Sequence, residues 1–134
     1  MSKFDLYINK FATGEKTSVC NLVIDGVCQY ESFVEGLETI MVKELKKISI
    51  SLWQLSENKK PRNKNFIRGK GLEDFRELKT KNLRLYYLVL KPYGLIICLG
   101  GQKTNQRRDI ASLKSLKDKI IQHIKDYGAL EFIS

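Results

Sequence analysis

The sequence predicts one α+β domain over residues 1–134, with a mostly antiparallel twisted sheet and segregated helices. Three observations carry this expectation. Short runs of β-forming residues are joined by Asp-Gly and Pro-Tyr-Gly turns rather than by helical crossovers. Helical periodicity is confined to residues 31–57 and 109–127. A composition of 43% hydrophobic and 29% charged residues suits a packed core, not a disordered chain.

The elements follow in order. Residues 4–11 alternate Phe4, Leu6 and Ile8 against Asp5, Tyr7 and Asn9, which predicts a strand. Residues 17–24 predict a second one, ended by the Asp25-Gly26 tight turn. Over 31–57, Phe33, Leu37, Ile40, Met41, Leu45, Ile48, Leu52 and Leu55 recur at helical steps, and Trp53 is expected in the same core. Thr39 is a candidate internal N-cap, so this stretch is either one long helix or a helical hairpin. Three C-terminal strands are expected: one in 64–68 leading through Gly69-Lys70-Gly71 into LEDFREL, then 83–90, and LIICLGG after the Lys91–Gly94 turn. The last, nearly all apolar, belongs at the centre of the sheet. A final amphipathic helix spans 109–127, with Asp109 as N-cap and Gly128 as its stop, and the ALEFIS tail is apolar enough to dock.

No apolar run approaches the ~20 residues of a membrane-spanning helix. The N-terminal MSKFDLYINK lacks the continuous apolar stretch of a signal peptide. A cytoplasmic protein without a membrane partner is expected. The cysteines, Cys20, Cys28 and Cys98, are odd in number, have no C-x-x-C spacing and sit in apolar contexts, as core thiols do. With a single histidine, no metal site and no cofactor are expected.

Charge is the strongest functional signal. Residues 59–108 carry 14 Lys and Arg against three carboxylates, a formal +11, whereas the whole chain is +9. The remainder therefore sums to −2, and the positive charge is localised on the segment with the best strand pattern. A basic sheet face offered to RNA or DNA is the expectation.

Within this segment, Phe66-Ile67-Arg68-Gly69-Lys70-Gly71-Leu72-Glu73-Asp74-Phe75-Arg76 resembles a strand of RelE/HigB-type toxins. Leu83-Arg84-Leu85-Tyr86-Tyr87 resembles their next strand, and Gly100–Thr104 with Asp109-Ile110-Ala111 resembles the loop before their last helix. Asp74 stands where the family usually has glutamate, and Gln102 replaces the first lysine of its Lys-Lys-Thr loop. The resemblance implies the small toxin fold of bacterial toxin–antitoxin pairs, with a cognate antitoxin as partner. It implies mRNA cleavage in the ribosomal A site for RelE- and HigB-like members, or inhibition of DNA gyrase for ParE-like ones.

Metal-free RNA cleavage needs a base for the 2′-hydroxyl, fixed cations for the phosphorane-like transition state, and help for the leaving 5′-oxygen. Arginine suits the second task because its planar fork bonds two phosphate oxygens. Arg84 with Arg68 or Arg76 are the candidates for phosphate stabilisation, and Lys103 and Lys70 for positioning or proton transfer. Arg68 and Arg76, an even number of residues apart, share a face if the stretch between them stays regular. Arg84, flanked by Leu83 and Leu85, must reach water, a partner or a substrate. Lys64, Lys70, Lys79, Lys81, Arg107 and Arg108 are the RNA-binding candidates, and His123 and Tyr127, near the chain end where some relatives carry a catalytic Tyr or His, the candidate general bases. Tyr86 and Tyr87 point to opposite faces, so at most one meets RNA. Charge alone fits equally a non-catalytic RNA- or DNA-binding module, and a solvated surface cation is the ordinary state of any one of these residues.

Overall fold

A computed structural model describes residues 2–133. The chain forms strands β1 (Phe4–Ile8), β2 (Val19–Ile24) and β3 (Val27–Cys28), then helices α1 (Gln29–Glu35) and α2 (Val42–Ser56). Strands β4 (Lys64–Phe66), β5 (Phe75–Lys79), β6 (Leu83–Leu90) and β7 (Gly94–Gln102) follow, then helix α3 (Gln106–Tyr127) and strand β8 (Glu131–Phe132). The sheet runs β4-β5-β6-β7-β2-β1-β8, with β3 paired to the end of β2. The expected α+β class holds. Pairing is mostly antiparallel, with β2–β7 and β1–β8 parallel.

Turn chemistry explains the strand ends. Asp25 and Gly26 both adopt positive φ, which reverses the chain tightly enough to pair β3 back on β2. Gly69 and Gly71 do the same between β4 and β5. The stretch from Phe66 to Arg76 is therefore a hairpin of two strands, and four C-terminal strands replace the expected three. Gly128, at φ 87°, ends α3 with its N–H donating to Ile124 O at 2.7 Å. The apolar tail docks as expected, with Leu130 buried and β8 beside β1.

Both faces of the sheet are covered. On one face Leu6, Leu22, Phe75, Tyr86, Leu88, Ile96 and Cys98 form one core with Leu113 and Ile120 of α3. On the other, Val19, Val23, Leu78, Leu83, Leu85, Tyr87 and Ile97 pack with Phe33, Ile48, Leu52 and Leu55 of α1 and α2. Among the described residues the central strands are covered on both sides, so the open basic sheet face expected from the charge pattern is not found there, and exposed cations lie at the strand ends and beside the edge strand β4. Tyr86 and Tyr87 do point to opposite faces, but both are buried.

The helical stretch is two helices. They are separated at Gly36–Glu38, and Thr39 opens a single 3₁₀ turn without acting as a side-chain cap. That break changes the helical phase, so Ile40 is 80% exposed rather than core. Trp53 is also not core: it is 39% exposed, about 100° around the helix from Leu52, with Lys59 Nζ 4.8 Å from its ring. Asp109 is not an N-cap, because α3 begins earlier, at Gln106, with Asn105 in the cap position. All three cysteines are free and buried, and burial pushes the Cys98 thiol up to about 12, which leaves it unreactive. No helix among the described residues is long and apolar enough to cross a membrane, and no cluster of metal-ligating side chains occurs among them.

Candidate functional site

One rung of the sheet organises the basic end of the molecule. Lys79 of β5 pairs with Arg84 of β6, and Arg84 pairs with Gly101 of β7. Cross-strand partners share a face, and here it is the face covered by α3. Leu83 and Leu85 face the other core, which forces Arg84 inward under α3 rather than out to water. Arg84 is only 7% exposed. Its Nη1 donates to Thr80 O at 2.7 Å and Leu83 O at 2.8 Å, while its buried Nε has no partner.

Two glycines shape the roof. Gly100 and Gly101 are consecutive in β7 and so face opposite cores. A Cβ on Gly100 would collide with the Phe33 ring, and one on Gly101 with Asp109 Oδ2. The Asp109 carboxylate thus lies over Gly101, beside Arg84 in the rung. Its Oδ2 is buried without a partner, and burial pushes its carboxyl above the usual range while Arg108 pulls it down. Tyr86, two residues from Arg84 on the same face, has a buried hydroxyl without a partner. Burial pushes its phenol up, and Glu77 and Asp109 add to the shift. Glu77 pairs across from Tyr86, and its Oε2 accepts a bond from Gln106 Nε2 at 3.0 Å.

Glu77, Arg84, Tyr86 and Asp109, with half-buried Gln106 beside them, therefore form a polar cluster with three unsatisfied atoms. Each such atom costs about 1–3 kcal/mol, which is unusual in a core built only for stability. In the sequence Asp109 stands as a cap candidate and as part of the Asp109-Ile110-Ala111 motif, with no site role, and Glu77 and Gln106 carry no signal of their own. The available signal was a carboxylate and two glycines beside the Lys103 loop. Around the cluster, Lys79, Lys81, Lys103, Arg107 and Arg108 are exposed. Lys103 sits in a 3₁₀ turn whose N–H donates to Asn82 O at 2.7 Å, which ties the turn to the start of β6.

The other candidates lie elsewhere. Arg68 and Lys70 are exposed in the β4–β5 connection, which Ile67 and Leu72 pin to the α3-side core. Lys117 Nζ binds Asp74 at 2.8 Å, so Asp74 is paired with α3 rather than with Arg76. This connection enters β5 at Phe75, four residues or about 13 Å along the strand from the Arg84 rung. Arg76 pairs with Tyr87 and Phe66 and faces the α2 side, opposite to Arg84. Its Nη1 donates to Glu73 O and Phe75 O, and its guanidinium lies 4.2 Å from the Phe66 ring centre. Lys64 shares that face through its pairing with Leu78. The expected common face for Arg68 and Arg76 fails because the glycine hairpin separates them. His123 packs against Phe4 and Tyr127, at 5.6 and 4.7 Å between ring centres. It is 14 residues, or about 21 Å along α3, from Asp109. His123 and Tyr127 therefore do not join the Arg84 cluster.

No protein-family model matches the chain, and no curated protein matches it. Among solved structures, the chain is similar to the solution structure of the conserved hypothetical protein HP0894 from Helicobacter pylori, at 23% identity over 56% of this chain and 81% of that one. The TM-score of 0.36 is too low for that likeness to bear on fold or function.

Proposed function

We propose that this protein is a toxin of RelE/HigB-like type, a metal-independent endoribonuclease acting on mRNA in the ribosomal A site and held in check by a cognate antitoxin. The observation that carries this reading is the Lys79–Arg84–Gly101 rung, with Lys103, Arg107 and Arg108 exposed around it and the carboxylates of Glu77 and Asp109 withdrawn into the core. An RNA phosphate arriving there meets exposed cations first. Arg84 acts from beneath as a fixed charge that needs no reorganisation as the transition state gains negative charge. Asp109, whose carboxyl burial pushes up and Arg108 pulls down, is the carboxylate that lies over the rung. In a translation reaction with intact ribosomes, adding the protein shortens mRNA, and Lys103→Ala and Arg84→Lys each lower the cleavage rate by tenfold or more. Unchanged mRNA in the wild-type reaction refutes the reading.

A second reading, a non-catalytic RNA-binding module, is favoured by one observation: Arg84 Nη1 is engaged by two backbone carbonyls. It predicts salt-sensitive RNA binding with no cleavage and no effect on translation.

A further inference from the structure

A second basic surface lies on the opposite side of the sheet from the Arg84 cluster. A groove of about 530 Å³ runs between α2, the segment before β4 and the end of β5. Its lining includes Lys47, Lys60 and Arg62 and no carboxylate, and Lys79, the last residue of β5 and a member of the Arg84 rung, borders it at the strand end. Glu44, beyond Thr80, has its oxygens taken by Thr80 and Asn82. The floor is fixed: Ser51 Oγ lies 2.9 Å from Asn63 Oδ1 and 3.0 Å from Lys47 O, so the hydroxyl ties α2 to the strand segment.

β4 begins directly after the groove residue Asn63 and ends at an exposed aromatic ring. Phe66 is 68% exposed, on the edge strand and on the α2-side face. Arg76 lies against its ring at 4.2 Å and Lys64 Nζ at 5.4 Å. Arg76 is itself anchored to Glu73 O and Phe75 O, so it holds the ring in place. An exposed phenylalanine on a cation-lined edge is unfavourable in water and suits a flat, electron-rich partner. Cations in a groove followed by an immobilised aromatic ring is the arrangement that binds single-stranded nucleic acid, by phosphate contacts and base stacking.

We infer that this groove and Phe66 form a separate docking track for single-stranded RNA, with phosphates on Lys47, Lys60 and Arg62 and one base on Phe66. Arg76 is then a positioning residue for that base. The inference deepens the RNA reading above and rests on RNA being the partner, but it puts the main RNA contact on the α2 side.

The test is binding of a labelled, unstructured 12-nucleotide RNA at several salt concentrations, followed also by the fluorescence of Trp53, the sole tryptophan, which adjoins the groove residue Gln54. Lys60→Glu/Arg62→Glu should weaken binding tenfold or more, and Lys60→Ala/Arg62→Ala should flatten the salt slope by about 1.4, or about 0.7 for each lost phosphate contact. Phe66→Ala should weaken binding about tenfold with the slope unchanged. All substituted residues are exposed, and circular dichroism should show the fold intact. If these variants bind within twofold of wild type while Lys103→Ala/Arg108→Ala loses binding, the track is wrong and the RNA reading stands. If wild type binds no RNA, the track is wrong, and mRNA cleavage in the translation reaction decides the RNA reading on its own.

Discussion

Asp109 occupies the space that a side chain on Gly101 would need: a Cβ there would run into Asp109 Oδ2. Gly101 is therefore a packing requirement, imposed by a carboxylate eight residues later on the roofing helix. Gly101→Ala should destabilise the fold by about 1–3 kcal/mol through overpacking. In an Asp109→Ala background the same change should be nearly neutral or favourable, because the space is empty and alanine costs less backbone entropy in a strand than glycine does. Denaturant unfolding of the two single variants and the double variant gives the coupling. Additive effects would show that the two residues do not share that space.

The same carboxylate should give stability a pH dependence. Burial raises the Asp109 pKa in the folded state, while Arg108, with Nε 3.8 Å from Oδ1, lowers it. Gly101 lies beneath it and Tyr86, whose phenol it helps push up, is close to it on the sheet. A folded pKa above the unfolded one means the native state holds the proton more tightly. That contribution is complete below the unfolded value of about 3.9 and is lost as pH rises through the folded pKa. Asp109→Asn carries no charge to desolvate, so at pH 7 it should be more stable than wild type by about 1 kcal/mol. The gap should close as the pH falls towards 4. Urea unfolding across this range measures it, and a pH-independent gap would contradict the account.

The neighbouring hydroxyl separates stability from activity. Tyr86 is fully buried with its OH unpartnered. Tyr86→Phe removes a desolvated polar group and leaves the ring in place, so it should be neutral or stabilising by up to about 1 kcal/mol. If the cluster serves RNA chemistry, the same variant should cleave mRNA more slowly at unchanged thermal stability. A clear drop in melting temperature would reveal a hydrogen-bond partner for the OH.

What the sequence made legible follows from which signals are local. The Leu83–Leu90 strand, the Gly94 turn, the central Leu95–Leu99 run and the Gly128 stop depend on nearest-neighbour chemistry, and all stand where expected. The double coverage of the sheet was also written there, since Leu83, Leu85 and Tyr87 are apolar on one face and Tyr86 and Leu88 on the other. The charge pattern obscured it. Which face each arginine takes was not legible. The Gly69–Gly71 reversal sends Arg76 to the α2 side, and cross-strand register alone sets Arg84 beside Gly101. Asp109 enters the cluster only because α3 starts three residues earlier than its cap-like composition suggested.

His123 provides a test of the cluster's boundaries. Its ring meets Phe4 edge-on and stacks at a tilt with Tyr127, joining the end of α3 to β1. Aromatic contacts of this kind contribute about 0.5–1.5 kcal/mol beyond buried area. His123→Ala should therefore lower the unfolding free energy by about 1–2 kcal/mol. Because the ring is about 21 Å along the helix from Asp109, it cannot pass a proton to a group held at the Arg84 rung. If the proposed ribosome-dependent cleavage holds, His123→Ala, measured well below its melting temperature, should match wild type in its rate and pH profile. A loss of rate with stability preserved would move the chemistry to the other end of α3 and remove Arg84 from it.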